Sequence, residues 1–364
     1  MKKITLLLLI IITSFSLFGC EYYEGMKKIS GISYENELFN SVQNGDTYSG
    51  IRMHASNAKV SYFENLVKEE FYDNFKTIIE ERHDFIWCVE GGAFDTMVKE
   101  AVNYPDIKFA VVDSSEKNLP DNFITLSFRE EEGGFLAGYI AANVSETGII
   151  GYLAGKESLI SKKYEYGFIA GAQYAKSKLN KPIEVKSLYI EEDYNHQKGK
   201  DGALSLYNDG ECDIIFHTLQ TGGFGAIEAA KESNKFIIGS GNDQSSYAPS
   251  NVVTSIVKNT KLAVSNTITK YLDKQLEFGK NYEYGIKDRM IDISKTYRLI
   301  DKNLINEISD IKKEIINGTI SVPDSEEELN EYIKTLDELK AQETVENEEK
   351  TEEKAEDKAE EKMD

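Results

Sequence analysis

Cysteine and histidine are scarce, with three and four in 364 residues. Cys20 falls in the leader, which leaves only Cys88 and Cys212 for the body. Two cysteines cannot build a disulfide framework. Both lie in or beside apolar runs, IWCVEGG and CDIIF, and read as buried free thiols. A bridge between them is the lesser reading, since they fall in different lobes. His54, His83, His196 and His217 are not spaced as metal ligands, and no cysteine pair sits at zinc spacing. There is no Gly-x-Ser-x-Gly elbow and no Walker loop. The sequence therefore carries no enzyme signature, no metal centre and no cofactor motif. Basic stripes are missing as well. Net charge is −21, of which residues 324–364 hold −12 and the remainder −9. That balance excludes a nucleic-acid footprint. The apolar run Ile4–Ile12 is too short for a stable membrane span.

What is there begins with that run. It follows Lys2 and Lys3 and leads to Leu17-Phe18-Gly19-Cys20. A charged start, a short apolar stretch and a small residue before the cut make a signal segment. Its end resembles a bacterial lipoprotein box, which implies cleavage before Cys20 and acylation of the Cys20 sulfur. Uncleaved, the segment would still anchor the chain. Either way the body sits on the extracytoplasmic face of a cell membrane. Residues 21–28 form a spacer.

From Ile29 the pattern alternates strand and helix. The expected elements are a strand at Ile29, a helix from near Phe39, a strand at Ile51–His54, a helix at Phe63–Glu81, and strands at Asp84–Val89 and Lys108–Val112 around a helix at Phe94–Val102. A helix in Phe128–Ala142 mixes large apolar residues with Gly134, Ala137, Gly138 and Ala141, which suits close helix packing. A hinge is expected near Leu126–Phe128. The second half repeats the alternation, then gives an extended segment at Val252–Val257, a helix at Lys261–Leu276, a strand pair at Tyr282–Gly285 and Met290–Ile293, and a helix at Lys302–Asn317. Continuous apolar strands separated by helices indicate parallel sheets covered on both faces. The fold class is α/β, with two doubly wound parallel-sheet lobes joined by a hinge. Residues 29–127 form the first lobe, completed by about 255–279. Residues 128–254 form the second, completed by about 280–323. Two such lobes make a ligand cleft at the C-terminal ends of their strands. Residues 324–340 read as an amphipathic helix with Leu329, Ile333, Leu336 and Leu339 along one side. Residues 341–364 are an acidic tail that cannot bury a core.

One turn and several aromatics stand out as binding elements. Gln220-Thr-Gly-Gly-Phe-Gly225 follows a strand and opens a helix; it reads first as a tight strand-to-helix turn facing the cleft, and in the second place as a site where Gly222 offers backbone N–H to a polar ligand group. Phe39, Phe94, Tyr194 and Phe224 fall just after strands, where a ring either gives a planar ligand a stacking surface or simply packs into the lobe.

The stretches FREEEGGFLAGYIAA, GYLAG, Tyr166-Gly-Phe-Ile-Ala-Gly-Ala172, IIGSGNDQS and VVTSIVK resemble the basic membrane protein family. These are lipid-anchored substrate-binding proteins of ABC importers, and the best understood are purine nucleoside receptors. The resemblance spans about Ile29 to Pro323. It implies a type I periplasmic-binding-protein fold, no enzymatic activity, no cofactor and a monomer that serves an ABC permease. It also implies site residues. Phe39 stacks on the base and Asn40 hydrogen-bonds the ligand. Asp113 accepts N–H donors of a purine edge, Tyr194 closes the base from the second lobe, and Lys258 reaches ribose oxygens. Two positions depart from the family pattern. Asn36 and Gly241 stand where the family has Asp, with Asn242 or Asp243 as the compensating residue. Those losses leave a second reading beside nucleoside binding, that of a diverged sensor or regulatory lipoprotein of the same fold.

Overall fold

The computed structural model describes residues 25–34, 42–65, 68–89, 91–179, 181–296 and 298–342. The leader with Cys20, the segment with Asn36, Phe39 and Asn40, and the tail from 343 lie outside the described residues.

Two units divide the chain. The first runs through Phe128 and takes in Asn259–Tyr284; the second holds Arg129–Lys258 and continues from Gly285. The exchanges expected at about 255 and 280 fall at Lys258/Asn259 and Tyr284/Gly285.

The strands are, in chain order, β1 (Lys28–Ile32), β2 (Lys59–Phe63), β3 (Phe85–Val89), β4 (Lys108–Val112), β5 (Phe123–Phe128), β6 (Ile149–Ala154), β7 (Glu184–Tyr189), β8 (Ile214–His217), β9 (Phe236–Gly241), β10 (Val252–Lys258), β11 (Lys280–Tyr284) and β12 (Ile291–Ile293). The first unit contains one parallel sheet in the order β11-β5-β4-β3-β1-β2. The second contains β12-β10-β9-β8-β6-β7, parallel except for β12, which runs antiparallel to β10. Strands β3 and β5 are buried along their whole length, as strands covered on both faces must be.

Three expectations are corrected. Ile51–His54 is not a strand. Ile51 and Arg52 end the helix Val42–Arg52, and burial at Asn44, Thr47, Ile51 and His54 follows the helical period. Phe63 does not open a helix. It closes β2, and the helix begins at Lys68, burying Phe71, Phe75, Ile78 and Ile79 as expected. Leu126–Phe128, where the hinge is expected, is the end of β5, whose Leu126 pairs with Val112 and whose Phe128 pairs with Tyr284, and the chain passes to the second unit directly after it. Finally, β11 and β12 do not pair with each other. The chain changes unit between them, so each becomes the edge of a different sheet.

The helix Glu130–Val144 is buried through Ala142, which is why it lacks a polar face. It packs backbone to backbone on the helix Leu159–Leu179. A Cβ on Gly138 would lie 2.0 Å from the Phe168 carbonyl oxygen, and one on Gly171 would lie 2.0 Å from that of Phe135. The helix over 326–342 sets Tyr332 edge-on to Phe135, with ring centres 6.4 Å apart. Leu329 is buried there while Leu339 is 52 % exposed, so only the first part of the expected apolar stripe is covered. Among the described residues no helix is long and apolar enough to cross a membrane.

Candidate functional site

In the first unit the functional end of the sheet is the C-terminal edge of β4. Asp113 follows directly and is held at φ 61°, in the left-handed region. Non-glycine residues adopt that conformation at a cost, which persists where surrounding structure enforces it. The enforcement is visible in the loop that follows. Asn281 Nδ2 donates to the Ser114 carbonyl at 3.1 Å and to Thr125 Oγ1 at 2.9 Å, and Thr125 Oγ1 donates to the Glu116 carbonyl at 2.8 Å. Ser127 Oγ closes the set on Asn281 Oδ1 at 3.0 Å. Asp113 is thus a half-buried carboxylate on a pinned loop. Asn281 was not legible as part of this support, because it reaches the loop only through the β5–β11 register.

In the second unit three loops meet at the C-terminal edge of the sheet. The Gly222 N–H donates to the Asp193 carbonyl at 3.0 Å. The next three amides are satisfied inside the turn, on Gln220, Thr221 and Gly222 carbonyls. The glycine turn is therefore not an open amide cradle. Gly222 serves packing, since a Cβ there would lie 2.8 Å from the Asp193 carbonyl oxygen. Tyr194 is exposed, and its carbonyl accepts the Thr221 hydroxyl at 3.0 Å. Phe224 is also exposed and sets its ring 4.8 Å from that of Tyr247.

Beneath this edge lies a polar network that the sequence reading missed. His217 is fully buried at the end of β8. Its Nε2–H donates to Gln244 Oε1 at 2.8 Å, and the Gln244 N–H donates to Ser255 Oγ at 3.0 Å. Burial pushes the His217 imidazole down to about 4, so it is neutral at physiological pH.

The loop after β9 separates the residues expected there. Gly241 is at φ 80°, a conformation that a side chain would strain. The Asn242 N–H turns back on the Ser240 carbonyl at 3.0 Å. Asp243 faces the β12 side, where Oδ2 accepts the Thr296 hydroxyl at 2.6 Å and Oδ1 the Ser245 N–H at 3.0 Å. Burial opposes ionisation of Asp243, but these bonds hold its carboxyl below the usual range. It borders a cavity of about 480 Å³ shared with Thr296 and Arg298.

Lys258 ends β10 with its ammonium 2.8 Å from Glu130 Oε1, both side chains buried. Glu130 opens a run of three buried carboxylates at a helix N-terminus, where negative charge is favoured. Arg129 Nε stands 3.1 Å from Glu131 Oε1 and 3.0 Å from Glu132 Oε1. Lys163 lies 3.4 Å from Glu131 Oε2, and the Ile286 N–H donates to Glu132 Oε2 at 2.7 Å. Burial raises the Glu131 carboxyl against the pull of Lys163 and Arg129. Among the described residues no cluster of three or more His, Cys, Asp or Glu is arranged to hold a metal ion.

Comparison with known proteins adds identity to this geometry. Residues 26–326 match the Bmp family, described as ABC transporter substrate-binding protein PnrA-like. Basic membrane protein A2 of Borrelia garinii subsp. bavariensis is 34 % identical over 345 residues, which cover 90 % of this chain and 99 % of that protein. Basic membrane protein A of Borreliella burgdorferi is 38 % identical over 256 residues, covering 69 % and 74 %. Among solved structures, an ABC transporter solute-binding protein from Aeropyrum pernix K1 superposes with a TM-score of 0.74 at 19 % identity, over 85 % of this chain and 97 % of that one. A transcriptional activator of the comK gene from Bacillus halodurans gives 0.67 at 20 %, over 80 % and 98 %. At those identities the likeness is one of fold: the periplasmic-binding-protein architecture carries both transport and regulatory proteins.

Proposed function

The chain belongs to the Bmp family of PnrA-like ABC transporter substrate-binding proteins, and from that premise we propose that it is a lipid-anchored receptor for a purine nucleoside. Acylated at Cys20 and held at the extracytoplasmic membrane face, the monomer captures its ligand and delivers it to an ABC permease. No bond is made or broken in that work. The observation that supports this reading most is Asp113: a carboxylate in an enforced left-handed conformation at the C-terminal end of a buried parallel strand. Such strand ends are where open α/β sheets bind ligands. The carboxylate accepts purine N–H donors in charge-assisted bonds, which are stronger than neutral ones. Phe39 and Tyr194 supply stacking, Asn40 a further hydrogen bond, and Lys258 a donor to the ribose from its place beside Glu130.

The test is thermal unfolding of the full chain in mild detergent against nucleosides, free bases, sugars and amino acids. Ligand at a hundred times its Kd stabilises the folded state by about 2.7 kcal/mol. Guanosine, inosine or adenosine is expected to raise Tm. A rise with another class alone replaces the substrate and keeps the transport role. No rise with any ligand favours the regulatory lipoprotein, the reading to which the missing side chain at Gly241 lends weight.

A further inference from the structure

We propose that Asp193 is the carboxylate with which the second unit holds the hydroxyl groups of the ligand's ribose. This role rests on the nucleoside reading above and adds a residue to it.

Several acidic groups of the second unit are already engaged. Asp243 is turned to Thr296 and Ser245. Glu130, Glu131 and Glu132 face Lys258, Arg129, Lys163 and the Ile286 amide. Gly241 has no side chain and a backbone that disfavours one. Asp193 differs from all of these. It lies in the loop between β7 and the helix His196–Asn208. Its main chain is tied to the turn that follows β8 through the Gly222 N–H, at 3.0 Å. Its carboxylate is laid over Gly155, the residue after β6, so closely that a Cβ on Gly155 would lie 2.2 Å from Oδ1. The loop thus spans the C-terminal ends of adjacent strands β6 and β8, next to β9 with Gly241.

The carboxylate is half-buried and poorly satisfied. Oδ2 accepts the Lys156 N–H at a long 3.3 Å, and among the described residues Oδ1 accepts no hydrogen bond. Burial raises the Asp193 carboxyl, with the Lys156 amide and charge opposing. A group in this state gains from two strong donors brought together, and a vicinal diol offers them at the spacing of the two carboxylate oxygens. Its frame is rigid because Gly155 and Gly222 let three loops touch, so the donors meet a fixed acceptor.

The experiment is calorimetric titration of the full chain with inosine and with 2′,3′-dideoxyinosine, in wild type and in Asp193→Asn. The wild type is expected to bind inosine at least tenfold more tightly than the dideoxy compound. Asp193→Asn should weaken inosine at least tenfold and leave dideoxyinosine within twofold. Asp193→Ser, short enough to clear Gly155, should give the same split. Equal loss for both ligands, or no loss for either, would overturn the role of Asp193 while leaving nucleoside binding intact. A wild type that binds neither ligand would sink the nucleoside reading and this inference with it. Unchanged Tm of the unliganded variants separates either result from misfolding.

Discussion

Lys258 and Glu130 form an ion pair of 2.8 Å inside the second unit, and each stands beside a point where the chain changes unit. Glu130 comes just after the crossing at Phe128/Arg129, and Lys258 is the last residue before the crossing at Lys258/Asn259. Glu132 does the same for the third crossing at Tyr284/Gly285, through the Ile286 amide at 2.7 Å. Glu130 and Glu132 therefore fasten, on the second unit's side, the three places where the chain crosses.

Breaking that pair from one side should be costly. Lys258→Met leaves the Glu130 carboxylate buried beside a methylene chain, and the expected loss is about 3–5 kcal/mol. Adding Glu130→Gln should restore much of it, because a neutral amide tolerates the same site. Urea denaturation of the four proteins measures the cycle. A double variant as unstable as Lys258→Met alone would show that the stranded charge is not the cause.

Asp113 should show stability and binding moving apart. Asp113→Gly relieves the left-handed backbone at φ 61°, and glycine adopts that region freely. Without ligand, Tm is expected to stay equal or rise. Affinity for the nucleoside that stabilises the wild type should fall at least tenfold, as loss of a hydrogen bond to a charged group costs about 1.5–3 kcal/mol. Unchanged affinity would remove Asp113 from the site.

His217 predicts a pH dependence of definite sign. Burial holds its folded pKa at about 4, against about 6.5 in an unfolded chain. Between those values the unfolded chain binds a proton that the folded chain refuses. Its contribution is thus complete above about pH 6.5 and is lost as pH falls toward about 4, on the order of 3 kcal/mol in all. Asp46 acts in the opposite sense, since burial pushes its carboxyl up to about 6 and the folded state there holds the extra proton. The His217 share is isolated by difference. Urea unfolding of wild type and His217→Gln should show a gap that shrinks from about pH 7 to about pH 4. A constant gap would refute the neutral buried imidazole.

Gly138 should tolerate no side chain. The Cβ of Gly138→Ala would meet the Phe168 carbonyl oxygen at 2.0 Å, and that atom belongs to a packed backbone. Overpacking of this kind costs about 1–3 kcal/mol or more. Gly25→Ala, with nothing within 4 Å of the new carbon, is the control and should leave Tm unchanged. Equal stability of the two variants would show that the helices can separate freely.

Much of the architecture was legible because it is written in local pattern. The continuous apolar run at Lys108–Val112 and the helices His196–Asn208 and Lys302–Asn317 were read at their observed limits. The mixture of glycine and alanine in the central helix announced close packing, and Gly138 against Phe168 is its realisation. Asp113 and Lys258 were singled out by resemblance of the flanking sequence. The reading failed where period and propensity disagreed with context. Ile51 looks like a strand residue, yet its burial belongs to a helix lying on Thr260–Leu272, so closely that a Cβ on Gly50 would lie 2.7 Å from the Lys261 carbonyl oxygen.

The sequence by itself determined the alternation of strands and helices and the acidic composition of the tail, since each depends on neighbours a few residues apart. Only the tertiary structure decided which charges meet. Lys258 finds Glu130 from 128 positions away, Asp243 turns to Thr296 rather than to its own strand end, and Asp193 comes to rest over Gly155. A charged side chain takes its meaning from its burial and from the donors within hydrogen-bond reach. In a parallel sheet those are set by strand order, which brings together loops far apart in the chain.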